Sequence, residues 1–270
     1  MLHSPSSREL SVAGQVRLDE KLSKFEDLSW VKAENAALQS SDLLDYLLAD
    51  QSKADREVII GFREGCALAR IPLSIIEKEM VDHVLAKLQG AQDYKGIVKG
   101  WFDLLVVRLC KFLCLRNDIG VVKGRYAYLQ RTNDRSVLPQ EFELQLGLLD
   151  FLRGSLDGVH IEVPHVSSGR TDIYIGFEGF RFVIEVKRST TVRWSTFSIR
   201  PHLRQAAAYS SSDVRLGVLA TLDLSVRDPG DPHVTSCLGV VRRHASKNDE
   251  RAVVFMRVAG NRLSPSTFSK

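Results

Sequence analysis

The stretch RTDIYIGFEGFRFVIEVKRS, residues 170–189, predicts two strands that fold back on each other at Glu178 and Gly179. On both sides of this turn apolar side chains recur at every second residue, which is the period of a strand. The apolar positions are Ile173, Ile175, Phe182, Ile184 and Val186. The stretch therefore predicts a hairpin with one apolar face and one polar face.

The position of the turn also predicts which residues face each other. With a two-residue turn, Phe177 pairs with Phe180, and Asp172 then lies directly opposite Glu185, roughly 5 Å away at Cβ. Lys187 is two residues beyond Glu185 and points to the same side. Two carboxylates at this distance repel each other unless a cation lies between them, and a divalent metal with oxygen ligands fits. Since Glu is not favoured at the first position of a tight turn, a wider loop with the same register is an alternative.

In this arrangement the hairpin resembles the PD-(D/E)xK nuclease superfamily, in which an Asp is followed, after a variable gap, by Glu-x-Lys. The matching residues are Asp172, Glu185 and Lys187, and Thr171 stands where the family is named for a Pro. The resemblance implies that Asp172, Glu185 and the main-chain carbonyl of Val186 bind Mg2+ or Mn2+. It also implies that Lys187 positions the attacking water. Because Glu-x-Lys alone arises by chance in a chain of this size, the neighbouring elements decide how specific the match is.

A helix predicted over residues 139–153 precedes the hairpin. At about 100° per residue, the mean direction of its apolar side chains falls close to Glu141, while Glu143 points nearly opposite. A carboxylate on a buried face costs free energy unless a metal or a proton compensates it. The resemblance implies that this helix supplies one more acidic residue, for which Glu141 is the candidate. The alternative is that Glu141 is a first-turn residue favoured by the helix dipole.

A second helix, predicted over residues 200–210, carries Gln205 and Tyr209 on one face because they are four residues apart. Gln-x-x-x-Tyr after the Glu-x-Lys strand is similar to the RecB-like branch of the superfamily, where both residues are implied to organise the site and contact nucleic acid. The alternative is an Ala-rich packing helix. Helix, three strands, helix and strand over residues 139–224 match the αβββαβ core that the resemblance implies.

The predicted fold class is therefore an α/β C-terminal domain, with a restriction-endonuclease-like core and a mixed sheet, preceded by an all-α region. Residues 1–130 are predicted to form a helical module for partner or substrate recognition, and residues 131–270 the nuclease-like domain. Ser74 followed by Glu77 predicts a capped helix in the first part. A closing hairpin is predicted to follow the core, with strands at residues 237–243 and 252–258.

Charge supports this division weakly. Residues 1–130 hold 18 basic and 18 acidic residues, so that the whole net charge of +4 lies in residues 131–270. Five arginines surround the motif, and we interpret them as phosphate contacts, with a solvated rim as the alternative. They are Arg170, Arg188, Arg193, Arg200 and Arg204. Three histidines, His160, His165 and His202, are interpreted as surface or hydrogen-bonded residues without a ligand role.

The remaining features predict a cytoplasmic protein without a membrane partner. The four cysteines have no zinc-type spacing and are predicted to be reduced. The first residues lack the pattern of a secretory signal, and the most apolar stretch, residues 101–115, is too short and too charged to span a bilayer.

The sequence thus predicts a metal-dependent nuclease that hydrolyses phosphodiester bonds, with DNA as the expected substrate and Mg2+ or Mn2+ as the cofactor. The alternative is a catalytically inactive protein of the same fold that acts as a nucleic-acid-binding or scaffold subunit. The sequence leaves open whether the substrate is RNA, whether the helical region binds a protein partner and whether the chain forms a homodimer. It also leaves open whether cleavage is endonucleolytic or exonucleolytic.

Overall fold

The computed structural model of the chain describes residues 11–21, 47–56, 59, 71–118, 124–130, 138–156, 158–161, 173–177, 179–190, 195–196, 198–209, 214–225, 232–246 and 249–262. Close contacts divide the chain into two units, one of Met1–Ile71 with Gly96–Trp101 and one of Pro72–Lys95 with Phe102–Lys270. The second unit contains the sheet. The functional division near residue 130 stays a prediction.

In the first unit, residues 12–21 are helical. The buried carboxylate of Asp55 fixes the start of this helix, because it accepts hydrogen bonds from the main-chain N and the Oγ of Ser11, each at 2.9 Å. Ser52 Oγ donates to the same carboxylate at 2.7 Å.

After residue 71, the described parts of the chain contain four α-helices and six strands. The helices are α1 (Ile75–Leu88), α2 (Gly96–Asp118), α3 (Glu141–Arg153) and α4 (Arg200–Tyr209). The strands are β1 (Val159–Ile161), β2 (Ile173–Phe177), β3 (Phe180–Ser189), β4 (Leu216–Asp223), β5 (Leu238–Ser246) and β6 (Asp249–Ala259). Short 3-10 helices cover Gly124–Leu129 and Val234–Ser236. Among the described helices, none is both long and apolar enough to cross a bilayer.

The six strands form one sheet in the order β1-β2-β3-β4-β6-β5. Strands β1, β2 and β3 are antiparallel, β3, β4 and β6 are parallel, and β5 pairs antiparallel with β6. Helix α4 makes the crossover between β3 and β4, which parallel strands require. The α/β class and the mixed sheet predicted for the C-terminal part are confirmed, and the closing β5–β6 hairpin is longer than predicted.

The register of the β2–β3 hairpin agrees with the prediction throughout the described residues. Phe177 pairs with Phe180, and the ladder continues without a shift to Ile173 opposite Ile184. Gly179 has a φ of 85°, which is the backbone conformation that a glycine adopts at little cost in a tight turn. Asp172, the next residue before β2, lies outside the described residues.

Side chains of the first turn cap two of the helices. Ser74 Oγ accepts from the main-chain N of Glu77 at 3.2 Å, and the Glu77 carboxylate accepts from Ser74 N at 2.7 Å, so that the predicted capping box is confirmed. Helix α3 begins at Glu141, two residues later than predicted. Glu143, which we expected to be a solvated surface charge, accepts a hydrogen bond from Gln140 N at 2.7 Å.

The two faces of the sheet are covered by different helices. On one face the ring of Phe182 meets that of Phe102 from α2 at 5.0 Å, edge to face, and α3 packs against β1 and β3. The other face carries α4, and we call it the α4 face. Its apolar core consists of Ile199, Leu203, Ala206, Ala207, Leu219, Val253 and Phe255, all buried.

Candidate functional site

A buried ion pair occupies the α4 face of the central strand β3. Glu185 is 0% exposed, and its Oε1 forms an ion pair with Nζ of Lys187, whose side chain is 11% exposed. The other carboxylate oxygen, Oε2, accepts no hydrogen bond from any described residue. Burying a charge in this way costs free energy unless every lone pair is satisfied, so that the pair is poor evidence of a purely stabilising role.

The parallel pairing of β3, β4 and β6 extends this polar region across three strands. Lys187 lies beside Thr221, and Thr221 lies beside Arg257, on strands spaced by about 4.8 Å. Paired residues of neighbouring strands point to the same face, so these three side chains form one row. Thr221 is 0% exposed, and in the described part of the chain its Oγ1 has no hydrogen-bond partner. A buried hydroxyl without a partner is uncommon in proteins and fits a group that a ligand satisfies.

Asp223, two residues beyond Thr221 on β4, fixes the orientation of Arg257 at the end of this row. Asp223 is completely buried, and its Oδ2 accepts from Arg257 Nη2 at 2.6 Å and from Arg257 Nε at 2.8 Å. The main-chain N of Ser225 donates to the other carboxylate oxygen at 2.9 Å. Charge-assisted bonds of this length hold the guanidinium in one orientation.

Helix α4 adds His202 to the same region. Burial and the nearby Lys187 cation lower the pKa of His202, while Glu141 and Glu185 act in the opposite direction. Lys187 and Glu185 of β3 and Glu141 of α3 are therefore all within electrostatic range of the His202 imidazole. With a lowered pKa, the His202 ring is neutral at physiological pH.

Glu141 occupies the buried side of α3, as its helical position predicts. The buried residues of this helix are Leu144, Gln145, Leu148, Leu149 and Leu152. At roughly 100° per residue their mean direction lies close to Glu141. The carboxylate itself is half-buried at the first residue of the helix.

Of the other predicted site residues, some are described by the structure and some are not. Gln205 is half-buried and lies one helical turn after His202 on α4, while Val186 directs its side chain into the apolar core on the opposite face of the sheet. Tyr209 is the last residue of α4, and its side chain is not among those that the structure describes. Outside the described residues are Asp172, Arg170 and Arg193.

The described arginines of the predicted rim do not lie together. Arg188 follows Lys187 in β3 and points to the opposite face, where its Nη1 donates to the carbonyl of Pro139 at 3.1 Å. Arg200 and Arg204 are exposed on α4, on the same sheet face as Lys187.

Four residues of this region were not predicted from the sequence as functional: His202, Thr221, Asp223 and Arg257. His202 offers no spacing motif, and Thr221 and Asp223 lie within and at the end of a strongly apolar strand. Only the alignment of β4 and β6 with β3 brings Thr221 beside Lys187 and Arg257 beside Thr221, and a sequence carries no local signal for that alignment.

The fit of a divalent metal depends on the carboxylates. Within the described ranges, no group of three or more His, Cys, Asp and Glu side chains is arranged to hold a metal ion. Glu185 by itself could supply one ligand of a metal ion. Its buried carboxylate oxygen has no hydrogen-bond donor among the described residues, and such hard oxygen ligands are preferred by Mg2+ and Mn2+.

Comparisons with protein-family models, with curated proteins and with solved structures each give no match for this chain.

Proposed function

We propose that the chain is a metal-dependent nuclease of the PD-(D/E)xK superfamily, of the RecB-like branch, which hydrolyses phosphodiester bonds in DNA. The observation that carries this proposal is the Glu185–Lys187 pair, buried on the α4 face with one carboxylate oxygen left without a donor among the described residues. Acid and amine two residues apart on one strand are the arrangement that the motif requires.

The order of the elements supports the proposal. Helix α3, strands β1 to β3, helix α4 and strand β4 follow one another as in a restriction-endonuclease-like αβββαβ core. The antiparallel β1–β3 meander and the parallel β3–β4 pair joined through α4 are consistent with the mixed sheet of that core.

Glu185, Asp172 and the carbonyl of Val186 would hold Mg2+ or Mn2+, with Glu141 contributing directly or through a water. When bound, such an ion polarises the phosphate and lowers the pKa of a water molecule. The residues of the chain supply the rest of the chemistry. Lys187 orients the attacking water and stabilises the negative charge that develops on the phosphate oxygens.

Thr221 and Gln205 complete the binding side of the site in this proposal. The Thr221 hydroxyl, beside Lys187, donates to a phosphate oxygen and thereby gains the partner that it lacks among the described residues. Gln205 and Tyr209 contact the nucleic acid and orient the carboxylates, as the resemblance implies.

A second candidate function is a catalytically inactive protein of this fold that binds nucleic acid or acts as a scaffold. The observation in its favour is that Glu185 is completely buried and already paired with Lys187. Calorimetry with Mn2+ separates the two functions. A nuclease binds the ion, and Glu185→Gln abolishes that binding; a scaffold retains nucleic acid without binding the ion.

A cleavage assay tests the first proposal. Single- and double-stranded DNA and RNA are incubated with Mg2+ and with the wild type, Asp172→Ala, Glu185→Gln or Lys187→Met. Each variant is expected to lose on the order of 100-fold or more in rate, because each removes a group that acts on the transition state. Glu143→Gln, which replaces the half-buried carboxylate that accepts from Gln140 N, is the matched control and should keep full activity. Undiminished cleavage by Lys187→Met and Glu185→Gln would remove the mechanism.

A further inference from the structure

Helix α4 separates two polar edges of the α4 face. Its buried side is defined by Leu203, Ala206 and Ala207. At roughly 100° per residue, His202 borders that side toward Lys187, whereas Arg200 and Arg204 border it on the other edge. The two arginines predicted as part of one rim around the motif therefore belong to a different surface.

Strand β5 completes the second edge. Val241 packs against the apolar core beneath α4, and Arg243, two residues further along β5, points to the same sheet face. Burial lowers the pKa of Arg243, and the positive charges of Arg204 and Arg200 lower it further. The three arginines thus share one edge of the α4 face, and we call Arg200, Arg204 and Arg243 the basic patch.

The surroundings of the patch make this arrangement unusual. Neighbouring arginines on the sheet have carboxylate partners: Arg242 pairs with Glu250 at 3.2 Å, Arg251 with Asp249 at 2.6 Å, and Arg257 with Asp223 at 2.6 Å. Among the described residues, neither Arg204 nor Arg243 has a hydrogen bond or an ion pair. Like charges held together repel, and an anion that binds between them relieves the repulsion.

We propose that the basic patch binds phosphates of the nucleic-acid backbone away from the scissile bond, an inference that rests on the proposed nuclease function. A planar guanidinium matches the two oxygens of a phosphodiester, and several in a row give affinity that is independent of sequence and sensitive to salt. A membrane surface fits less well, because no large hydrophobic side chain is exposed on the described parts of α4 and β5.

The test compares the charge-removing variant Arg204→Ser/Arg243→Ser with the matched control Arg153→Ser/Arg242→Ser. The control removes the same amount of positive charge. Arg153 lies at the exposed end of α3, and Arg242, the neighbour of Arg243 on β5, points to the opposite face of the sheet. Binding of a labelled single- or double-stranded DNA 20-mer is measured in EDTA over a range of salt concentrations. Arg204→Lys/Arg243→Lys keeps the charge and shows whether charge accounts for the binding, while the urea midpoint of the patch variant shows whether it is folded.

The slope of log Kobs against log salt concentration is negative. In the patch variant its magnitude is expected to decrease by roughly 1 for each arginine removed. The control should keep the wild-type slope, and the lysine variant should recover most of it. Wild-type binding with an unchanged slope in the patch variant would overturn the inference and leave the nuclease proposal standing. Absence of nucleic-acid binding by the wild type would overturn both. Patch-dependent binding of phosphatidylserine vesicles, with DNA binding unaffected, would assign the patch to a membrane instead.

Discussion

Replacing Lys187 by Met is expected to destabilise the protein strongly. Methionine keeps most of the volume of the side chain but removes the cation beside Glu185, which is completely buried. Leaving a buried charge without its partner costs about 3–5 kcal/mol. For a protein of this size that corresponds to a decrease in the midpoint of thermal unfolding of roughly 6–20 °C.

Removing both charges should reverse this loss. In Glu185→Met/Lys187→Met neither charge has to be buried, and replacing a buried ion pair by apolar residues of similar volume is neutral or stabilising by about 1–4 kcal/mol. The double variant should therefore be at least as stable as the wild type while it is inactive as a nuclease. Functional sites commonly make a protein less stable than it could be.

The free energy of unfolding is measured by urea denaturation for the wild type, both single variants and the double variant. Lys78→Met is the control, because Lys78 pairs with Asp82 at 2.8 Å on an exposed face of α1. An exposed i,i+4 pair contributes only about 0.3–0.5 kcal/mol. Equal stability of Lys187→Met and the wild type would refute the buried pair.

Metal addition extends the same experiment. If Glu185 is a ligand, Mg2+ or Mn2+ at 100 times its Kd stabilises the wild type by about 2.7 kcal/mol. The double variant should gain nothing under the same conditions. A wild type that is indifferent to both ions would contradict the metal-dependent mechanism, whatever the stability of the variants.

Four further predictions test the fold and the electrostatics of the site. Arg257→Met removes the cation that pairs with the buried Asp223 and should cost about 3–5 kcal/mol in urea denaturation; a loss below about 1 kcal/mol would contradict it. Phe102→Ala removes a fully buried ring and should cost about 3–5 kcal/mol, read from the shift of the urea midpoint. Ser74→Ala removes a cap and should cost about 1 kcal/mol. Because the pKa of His202 is lowered, the unfolded chain takes up a proton that the folded protein does not as the pH falls through about 6.5. The free energy of unfolding should therefore decrease as the pH falls through this range. In urea denaturation, His202→Gln should lose less stability than the wild type between pH 7.5 and 5.5.

The hairpin could be predicted from the sequence because its determinants are local. Alternation fixes which side of each strand is apolar, and the turn at Gly179 fixes the register, so that Phe177 opposite Phe180 followed directly. The orientation of Glu141 relative to the buried side of α3 followed from helical periodicity in the same way.

The polar row beside Lys187 could not be predicted. Thr221 reaches Lys187 through a parallel pair whose register is set by the α4 crossover and by packing, and Arg257 reaches Thr221 through a second such pair. The separation of Arg204 from Lys187 depends on the rotation of α4 about its axis. That rotation is determined by contacts with Leu219 and Phe255, which are distant in sequence.

The position of α4 between the two polar edges has a consequence for the products of cleavage. A helix with its side chains is about 10 Å across, which matches roughly three phosphates of one strand in B-form DNA. If one strand contacts both edges, α4 works as a molecular ruler. The cut would then fall a constant number of phosphates from those that the basic patch anchors, whatever the base sequence.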